Sequence, residues 1–389
     1  MGRRSLAKVS TILESFLRFR PLSRPRSLGN VEGLLESSVV VRVALGVSSR
    51  ATYRFSDIGY PIVLFKLMAQ ERESSSVQVV KIGLLVFLAN DREDNSKRPY
   101  GAIRAVAQQA ETDGFDSIWL PDHLFYRNSG QPTRGIWECW TMLSALAEAT
   151  KRVEIGTLAT CNSFRNPAIL AKMATTVDEV SHGRLILGVG AGWNEPEYQA
   201  FGLPFDHRVD RFEEALQILK PLLHEGHVDF AGKYYQARDC EILPRGPRSE
   251  GPPLMVGSEG GPRMLKLTAR YADLWNTGYM GKPETLAERR AKIEGACREI
   301  GRDPATLGIT ALIGLWFPDL QEKKPSFFDN PLTGTVEEIA MAMRGYARLG
   351  VQHIMFQCEP YIPVALRRLT KAFQLYRDMQ QELEPLTKF

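Results

Sequence analysis

The sequence has few cysteines and no long uncharged hydrophobic run. Its 389 residues include five cysteines, none of them in a C-x-x-C pair. This spacing gives no basis for a zinc site or a disulfide framework, so we expect no metal and, with reduced thiols, a cytoplasmic location. No stretch of about 18 apolar residues is free of charge, so we expect no membrane span. A net charge of +4 is too small to indicate nucleic-acid or membrane binding and leaves a small molecule as the expected partner.

The amino-terminal part of the chain differs in composition from the rest. Residues 1–67 hold eleven Lys and Arg against four Asp and Glu, and they include the stretch Arg-Pro-Leu-Ser-Arg-Pro-Arg-Ser. An Arg- and Ser-rich, acid-poor start resembles a transit peptide, and the alternative is an unstructured or upstream-translated extension with the working start at Met68. We therefore expect residues 1–76 to be a disordered or non-native extension, followed by one domain over residues 77–382.

From residue 77 onward, strand-like apolar runs alternate with segments of helical periodicity. The predicted strands are Val77–Phe87, Ser117–Leu120, Val153–Thr160, Arg184–Val189, Pro253–Val256, Asp273–Asn276, Leu307–Leu315 and His353–Gln357. The predicted helices are Tyr100–Thr112, Trp137–Ala149, Ala168–Val180, Val209–Leu223, Pro262–Tyr271, Pro283–Ile300, Thr335–Leu349 and Pro363–Gln381. Eight successive strand–helix units predict an α/β protein with a (β/α)₈ TIM barrel rather than an open doubly wound sheet.

Three insertions interrupt the alternation and are candidate lids. They are Gly190–Asp206, His224–Pro252 and Lys323–Pro331, and the second contains a predicted hairpin around Ala231-Gly232. Loops longer than about 12 to 15 residues in a compact domain usually cover or bind something. His224 and His227 are three apart in the second insertion, but no carboxylate accompanies them in a ligand pattern, so a solvated helix end is the favoured interpretation.

An acid and an imidazole directly follow the second predicted strand. Ser117–His123 reads Ser-Ile-Trp-Leu-Pro-Asp-His, which places Asp122 and His123 where a barrel builds its active site. An imidazole exchanges protons near neutral pH, so we expect His123, with Asp122, to be catalytic. The alternative for His123 is a structural histidine held by a loop carbonyl. Glu138 is a weaker acid candidate whose alternative is a charge at a helix N-terminus.

Two glycine-rich loops also follow predicted strands. Gly188-Val-Gly-Ala-Gly192 and Gly257-Ser-Glu-Gly-Gly261 let backbone N–H groups approach the phosphate of a flavin-type cofactor, and the alternative is that both are tight barrel turns. The candidate cofactor-binding residues in and beside these loops are Gly190, Gly192, Trp193, Asn194, Gly257, Ser258, Gly260 and Gly261.

Four stretches together resemble the luciferase-like monooxygenase superfamily. They are Gly114–His123, Ile155–Pro167, Asp178–Trp193 and Ala269–Asn276, and the resemblance extends from about Val79 to Met379. The Cys-Asn-Ser-Phe-Arg-Asn-Pro form of the second stretch is most similar to the branch that uses coenzyme F(420), a deazaflavin with an acidic tail.

The resemblance implies a site and a reaction. It implies His123 as the active-site histidine, a non-prolyl cis peptide at Leu158–Ala159 against the cofactor ring, and a homodimer. The further cofactor-binding residues that it implies are Asp122, Leu158, Ala159, Thr160 and Asn162. The expected function is hydride transfer between C5 of coenzyme F(420) and a small organic substrate. One alternative is an FMN-dependent monooxygenase that uses reduced flavin and O₂, and another is a catalytically silent flavin-binding protein.

Overall fold

The computed structural model describes residues 79–92, 94–127, 130, 132–259 and 261–381. The expectations for residues 1–78, for Gly260 and for residue 382 fall outside the described residues. The strands are β1 Lys81–Leu85, β2 Ser117–Leu120, β3 Phe125–Tyr126, β4 Arg134–Gly135, β5 Glu154–Thr157, β6 Thr160–Cys161, β7 Leu185–Gly190, β8 His227–Ala231, β9 Gln236–Glu241, β10 Leu254–Gly257, β11 Leu274–Met280, β12 Gly308–Trp316 and β13 Val351–Glu359. The α-helices are α1 Tyr100–Asp113, α2 Cys139–Ala149, α3 Pro167–Val180, α4 Glu195–Phe201, α5 Arg208–His224, α6 Pro262–Tyr271, α7 Leu286–Glu299, α8 Val336–Arg348 and α9 Pro363–Gln381.

Eight parallel strands close into a barrel, which confirms the predicted (β/α)₈ fold. The order around the ring is β1, β2, β5, β7, β10, β11, β12 and β13, and β13 pairs again with β1. Each of these strands is followed by the helix that the sequence periodicity predicts, and after β7 the short helix α4 comes before the predicted helix α5. None of the helices formed by described residues has both the length and the apolar composition needed to cross a bilayer.

The barrel interior is packed with side chains, so any pocket lies at its rim. Trp119 is fully buried, and a Cβ built on Gly156 would lie 2.4 Å from its ring, while one on Gly83 would lie 2.7 Å from its indole nitrogen. Only glycine at these two positions leaves room for the indole. The apolar residues that pack with Trp119 are Leu85, Ile186, Met255, Leu312 and Met355.

His353 on β13 is buried beside Trp119 in a directional hydrogen-bond chain. The Trp119 indole N–H donates to the Ser117 hydroxyl at 2.7 Å, and Ser117 Oγ lies 2.6 Å from His353 Nε2. The hydroxyl accepts from the indole and keeps its own proton, which it can donate to an unprotonated Nε2. Burial lowers the pKa of His353 to about 3, with a smaller contribution from Lys81. The barrel therefore holds this imidazole in its neutral form.

Acidification is expected to weaken the fold through His353. In the unfolded chain the imidazole binds a proton below about pH 6.5, whereas in the folded chain it does so only near pH 3, so its contribution to stability is lost as the pH falls below 6.5. At pH 5 the loss is about 2 kcal/mol. Urea unfolding of the wild type and of His353→Gln at pH 7.5 and at pH 5 measures this loss. All other titrating groups contribute equally to the two proteins, so the difference between their pH dependences belongs to His353. Equal pH dependence in the two proteins would contradict a neutral His353.

Several boundaries differ from those predicted. The first strand is shorter than Val77–Phe87, whereas β11 and β13 run past their predicted ends into residues that include polar ones, such as Thr277 and Glu359. The predicted helix Pro283–Ile300 begins instead with a 3₁₀ turn over Pro283–Thr285. The predicted hairpin is confirmed as β8 and β9, which pair antiparallel.

Candidate active site

His123 lies on the loop after β2, at the carboxyl-end rim of the barrel. Its ring centroid is 4.7 Å from that of Tyr126 and 5.5 Å from that of Trp193, and the Trp193 indole meets it edge-on. Trp193 follows the first glycine-rich loop directly and is 68% exposed. The structure therefore brings His123 and this glycine loop to one place, with an open aromatic face between them.

The partner of His123 is Glu197, which sits on the short helix α4. Glu197 is almost fully buried, and its Oε2 lies 3.0 Å from His123 Nδ1. The same oxygen accepts from the Asn194 amide at 2.8 Å, and Oε1 accepts from the backbone N–H groups of Leu124 and Phe125. Burial opposes its charge, but the hydrogen bonds from His123 and the backbone outweigh this and lower the pKa of Glu197.

An ionised Glu197 fixes the tautomer of His123. A carboxylate surrounded by donors can only accept, so Nδ1 of His123 carries the proton that it donates to Glu197. The remaining nitrogen, Nε2, makes no hydrogen bond with any of the residues described. The pair is thus an oriented imidazole whose positive form is stabilised by a buried acid, as a proton-exchanging group requires.

Sequence reasoning missed Glu197. From the sequence, Gly190–Asp206 is a candidate lid in which no helix is predicted. In the structure, residues 195–201 form α4, with Pro196 in its first turn. The available sign was Asn194 followed three residues later by Glu197, an amide and an acid that share one helix end. That pattern indicates a helix start, but it does not show that the acid faces His123.

Asp122 lies in a buried ion pair. It is 3% exposed, and its carboxylate receives two hydrogen bonds from Arg165, at 2.6 and 3.0 Å, and one from the Cys161 N–H at 3.0 Å. Burial raises the pKa of Asp122 and Arg165 opposes this. Arg165 also reaches Glu138 at 2.6 Å, and Glu138 caps α2 through the Trp140 and Thr141 N–H groups. This network ties together the loops after β2 and β5 and the start of α2.

A floor of small residues lies between the two glycine loops. The expected non-prolyl cis peptide at Leu158–Ala159 is confirmed. The sheet register sets β6 beside Gly190 and Val189 beside Val256, which brings Gly190 of the first loop and Gly257 of the second close to Ala159. A Cβ on either Gly190 or Gly257 would lie 3.9 Å from the Ala159 Cβ. We call Ala159, Gly190 and Gly257 the small-residue floor.

The glycines of these loops divide into two kinds. A Cβ on Gly188 would lie 1.9 Å from the Thr157 carbonyl oxygen, and one on Gly192, where φ is +80°, would lie 1.9 Å from the Tyr198 hydroxyl. The fold itself requires glycine at these two positions. At Gly190 and Gly257 the described residues leave room for a side chain, and at Gly261 none lies within 4 Å of the added carbon. The open surface therefore fits a flat group lying on the backbone, as a flavin-type ring and its phosphate would.

Two buried polar atoms beside the floor have no hydrogen-bond partner among the described residues. They are Thr160 Oγ1 and Asn162 Oδ1, and both side chains are fully buried. Buried polar atoms are normally satisfied, so these two oxygens are groups that a bound molecule could satisfy.

Three further residues predicted to bind the cofactor contact other protein groups instead of the small-residue floor. Ser258 is buried, and its hydroxyl accepts from the Trp275 indole at 3.0 Å. Asn194 is buried and holds Glu197. Leu158 packs against the Trp119 cluster in the barrel. His224 lies at the far end of α5, 3.7 Å from Asp273, and no group of His, Cys, Asp and Glu among the described residues could hold a metal.

Comparisons with known proteins agree with this architecture. The chain is 29% identical over 282 residues to a phthiodiolone/phenolphthiodiolone dimycocerosates ketoreductase of Mycobacterium kansasii, a match that covers 66% of this chain and 74% of that enzyme. It is 30% identical over 246 residues to the pyrimidine monooxygenase RutA of Agrobacterium fabrum, covering 60% and 66%. Both relatives are oxidoreductases.

Solved structures share the fold. An F(420)-dependent secondary alcohol dehydrogenase superposes with a TM-score of 0.60 at 24% identity, covering 71% of this chain and 92% of that one. A riboflavin lyase (RcaE), solved with modified FMN and riboflavin, gives a TM-score of 0.65 at 16% identity, covering 77% and 92%. At these identities the likeness concerns the fold alone. The profile of the luciferase-like monooxygenase family matches residues 80–322, well over half of the chain. The chain therefore belongs to the luciferase-like monooxygenase family and is an enzyme of the oxidoreductase class.

Proposed function

We propose that this chain is a coenzyme F(420)-dependent oxidoreductase that transfers a hydride between C5 of the deazaflavin and a carbon bearing oxygen in a small organic substrate. The observation that carries the proposal is the His123–Glu197 pair, which presents a free Nε2 at the rim next to the small-residue floor. The relation to a ketoreductase supports a carbonyl–alcohol interconversion.

Each group of the proposed site would contact a different part of the cofactor. The small-residue floor would lie against the ring, and the N-terminus of α6 at Gly261 would face a phosphate. The unpaired oxygens of Thr160 and Asn162 would accept hydrogen bonds from donors of the cofactor. When bound, the cofactor supplies or accepts the hydride and so changes by two electrons. The exposed Trp193 forms a wall of the pocket beside His123.

His123 moves the accompanying proton. In the direction of reduction, the substrate carbon gains the hydride and the substrate oxygen takes the proton from Nε2 of the imidazolium, and oxidation reverses both transfers. Glu197 stabilises the imidazolium and keeps Nδ1 protonated throughout. Asp122 and Arg165 hold the loop that carries His123 and so position it.

An FMN-dependent monooxygenase is the second candidate. The relation to a pyrimidine monooxygenase favours it, and the same floor and imidazole suit a flavin ring. A catalytically silent flavin-binding protein would have no need for an oriented imidazole with a buried acid behind it, so the His123–Glu197 pair argues against that function.

Titration with the two cofactors tests the proposal. We expect coenzyme F(420) to bind more tightly than FMN, as measured by fluorescence quenching. We also expect Gly257→Val to weaken cofactor binding at least tenfold, because the valine side chain would occupy the small-residue floor. Gly101→Val is the matched control, since the described residues leave open space around that exposed helical glycine. Tight binding of FMN without binding of F(420) would overturn the cofactor assignment. Equal cofactor affinities of Gly257→Val and Gly101→Val would overturn the placement of the cofactor on the small-residue floor.

A further inference from the structure

A second cluster lies at the rim, apart from the small-residue floor. We call Arg92, Arg134, Tyr126, Tyr279 and Phe327 the arginine pocket. The Arg92 guanidinium lies 4.4 Å from the Phe327 ring centroid, and that of Arg134 lies 4.8 Å from the Tyr126 ring centroid. Tyr279 packs against Phe327 at 6.3 Å. The pocket therefore combines two cations with three aromatic rings.

The two arginines differ in their partners. Arg92 reaches the buried carboxylate of Glu359, at the end of β13, at 3.3 Å. Arg134 is half-buried, and the described residues offer its guanidinium neither a hydrogen-bond acceptor nor a carboxylate within salt-bridge distance. Its Nε is fully buried and unpaired, and burial together with the charge of Arg92 lowers the pKa of Arg134. Glu359 and Asp91 act on Arg134 only from beyond salt-bridge distance, so Arg134 is a partly desolvated cation without a direct anionic partner among the described residues, which is costly unless a ligand supplies one.

The barrel order separates this pocket from the small-residue floor. The floor lies at the ends of β5, β7 and β10, whereas Arg92 follows β1, Arg134 lies on the hairpin after β2, and Glu359 ends β13. His123 stands between the two. Its ring centroid lies 4.7 Å from that of Tyr126, and the Arg134 guanidinium lies 4.8 Å from the same Tyr126 ring centroid. Because both lie within 5 Å of this ring centroid, the guanidinium and the imidazole are less than about 10 Å apart, within reach of one small molecule.

We propose that the arginine pocket binds the carboxylate of the substrate, and that the substrate is a planar, aromatic or conjugated carbonyl acid. The inference rests on the proposed function, because it places the reacting carbonyl at His123. Arg92 is paired with Glu359 and the neighbouring Asp91 is paired with Arg98, so Arg134 is the cation of the pocket that has no salt-bridge partner among the described residues, which matches a monoanion. The planar guanidinium fork pairs with a carboxylate through two hydrogen bonds, and the aromatic rings of the pocket accommodate a flat body.

Calorimetric titration with 4-formylbenzoate and with its neutral isostere 4-formylbenzamide tests this pocket. We expect the wild type to bind the acid more tightly than the amide, and Arg134→Gln to weaken the acid about 10- to 100-fold while changing the amide little. Arg134→Lys keeps the charge but loses the fork, so an intermediate affinity is expected. Arg127→Gln is the matched control, because Arg127 lies on the same hairpin but stacks on Phe125 and bonds Thr133.

The outcomes separate this inference from the proposed function. Titrations are run on cofactor-free and cofactor-loaded protein, and circular dichroism establishes that each variant is folded. Equal binding of acid and amide, or equal losses in the Arg127 and Arg134 variants, would overturn the inference. Binding of the acid only to cofactor-free protein would also overturn it, since the acidic tail of the cofactor would then be the natural occupant. Failure of F(420) to bind, with selective binding of the acid retained, would overturn the cofactor assignment alone.

Discussion

Replacing His123 with asparagine is expected to lower turnover about 10²- to 10⁴-fold while leaving cofactor affinity close to that of the wild type. Asparagine keeps a polar group at this position but has no ring nitrogen that can give a proton to the substrate oxygen or take it back. The small-residue floor and the unpaired atoms of Thr160 and Asn162 lie on other loops, so the cofactor contacts remain. Steady-state kinetics with the loaded enzyme, together with cofactor titration, measure the two quantities separately.

Glu197→Gln distinguishes a positioning role from simple packing. Without the carboxylate behind it, Nδ1 of His123 loses its hydrogen-bond acceptor and the ring is no longer held in the tautomer that leaves Nε2 free, so kcat is expected to fall about 10- to 100-fold while KM stays close to that of the wild type. Glutamine also brings an amide N–H₂ among the four donors that now surround the carboxylate. Glu197→Asp keeps the carboxylate and is expected to restore kcat partly. An unchanged kcat in Glu197→Gln, or full turnover in His123→Asn, would contradict the proposed role of His123.

The barrel could be predicted because the patterns that specify its strands and helices lie within short stretches of the sequence. A strand buried on both faces reads as an apolar run and a covering helix repeats every 3.6 residues, so the alternation alone predicted eight units. The rim positions of His123 and both glycine loops followed from the same pattern, since parallel strands end at one face. The contact between His123 and Glu197 did not follow, because it joins two loops 74 residues apart through a short helix whose orientation tertiary packing decides.

The separate roles of the glycines could not be read from the sequence either. Gly188 and Gly190 stand two residues apart in the same strand, yet one meets a carbonyl oxygen and the other opens onto the floor. Likewise, the pair Asp122-His123 reads as two catalytic neighbours, and the structure turns the two side chains to different partners, Arg165 and Glu197. Side chains alternate regularly only within a strand, so beyond its end the packing of the loops decides what each side chain meets.

Arg165→Met is expected to lower the free energy of unfolding by about 3 to 5 kcal/mol, because it leaves the buried carboxylate of Asp122 without its partner. Asp122 is held by two hydrogen bonds from Arg165, and Arg165 itself is only 13% exposed, so water cannot replace it. Urea unfolding at neutral pH measures the change. The exposed pair Lys292–Glu288 is the control, since surface ion pairs contribute little and Lys292→Met should change stability by under about 1 kcal/mol.

A double-mutant cycle then measures the interaction free energy between Arg165 and Asp122, apart from the other contacts that each side chain makes. In Arg165→Met with Asp122→Asn, no buried charge is left unpaired, so the double variant is expected to be more stable than the sum of the single losses predicts. Glu138 loses its contact with Arg165 in both, but it still caps α2 through two N–H groups, so it adds little to the difference. Additive losses would show that the two side chains act independently and would remove the physical basis for treating their bridge as the clamp that positions His123.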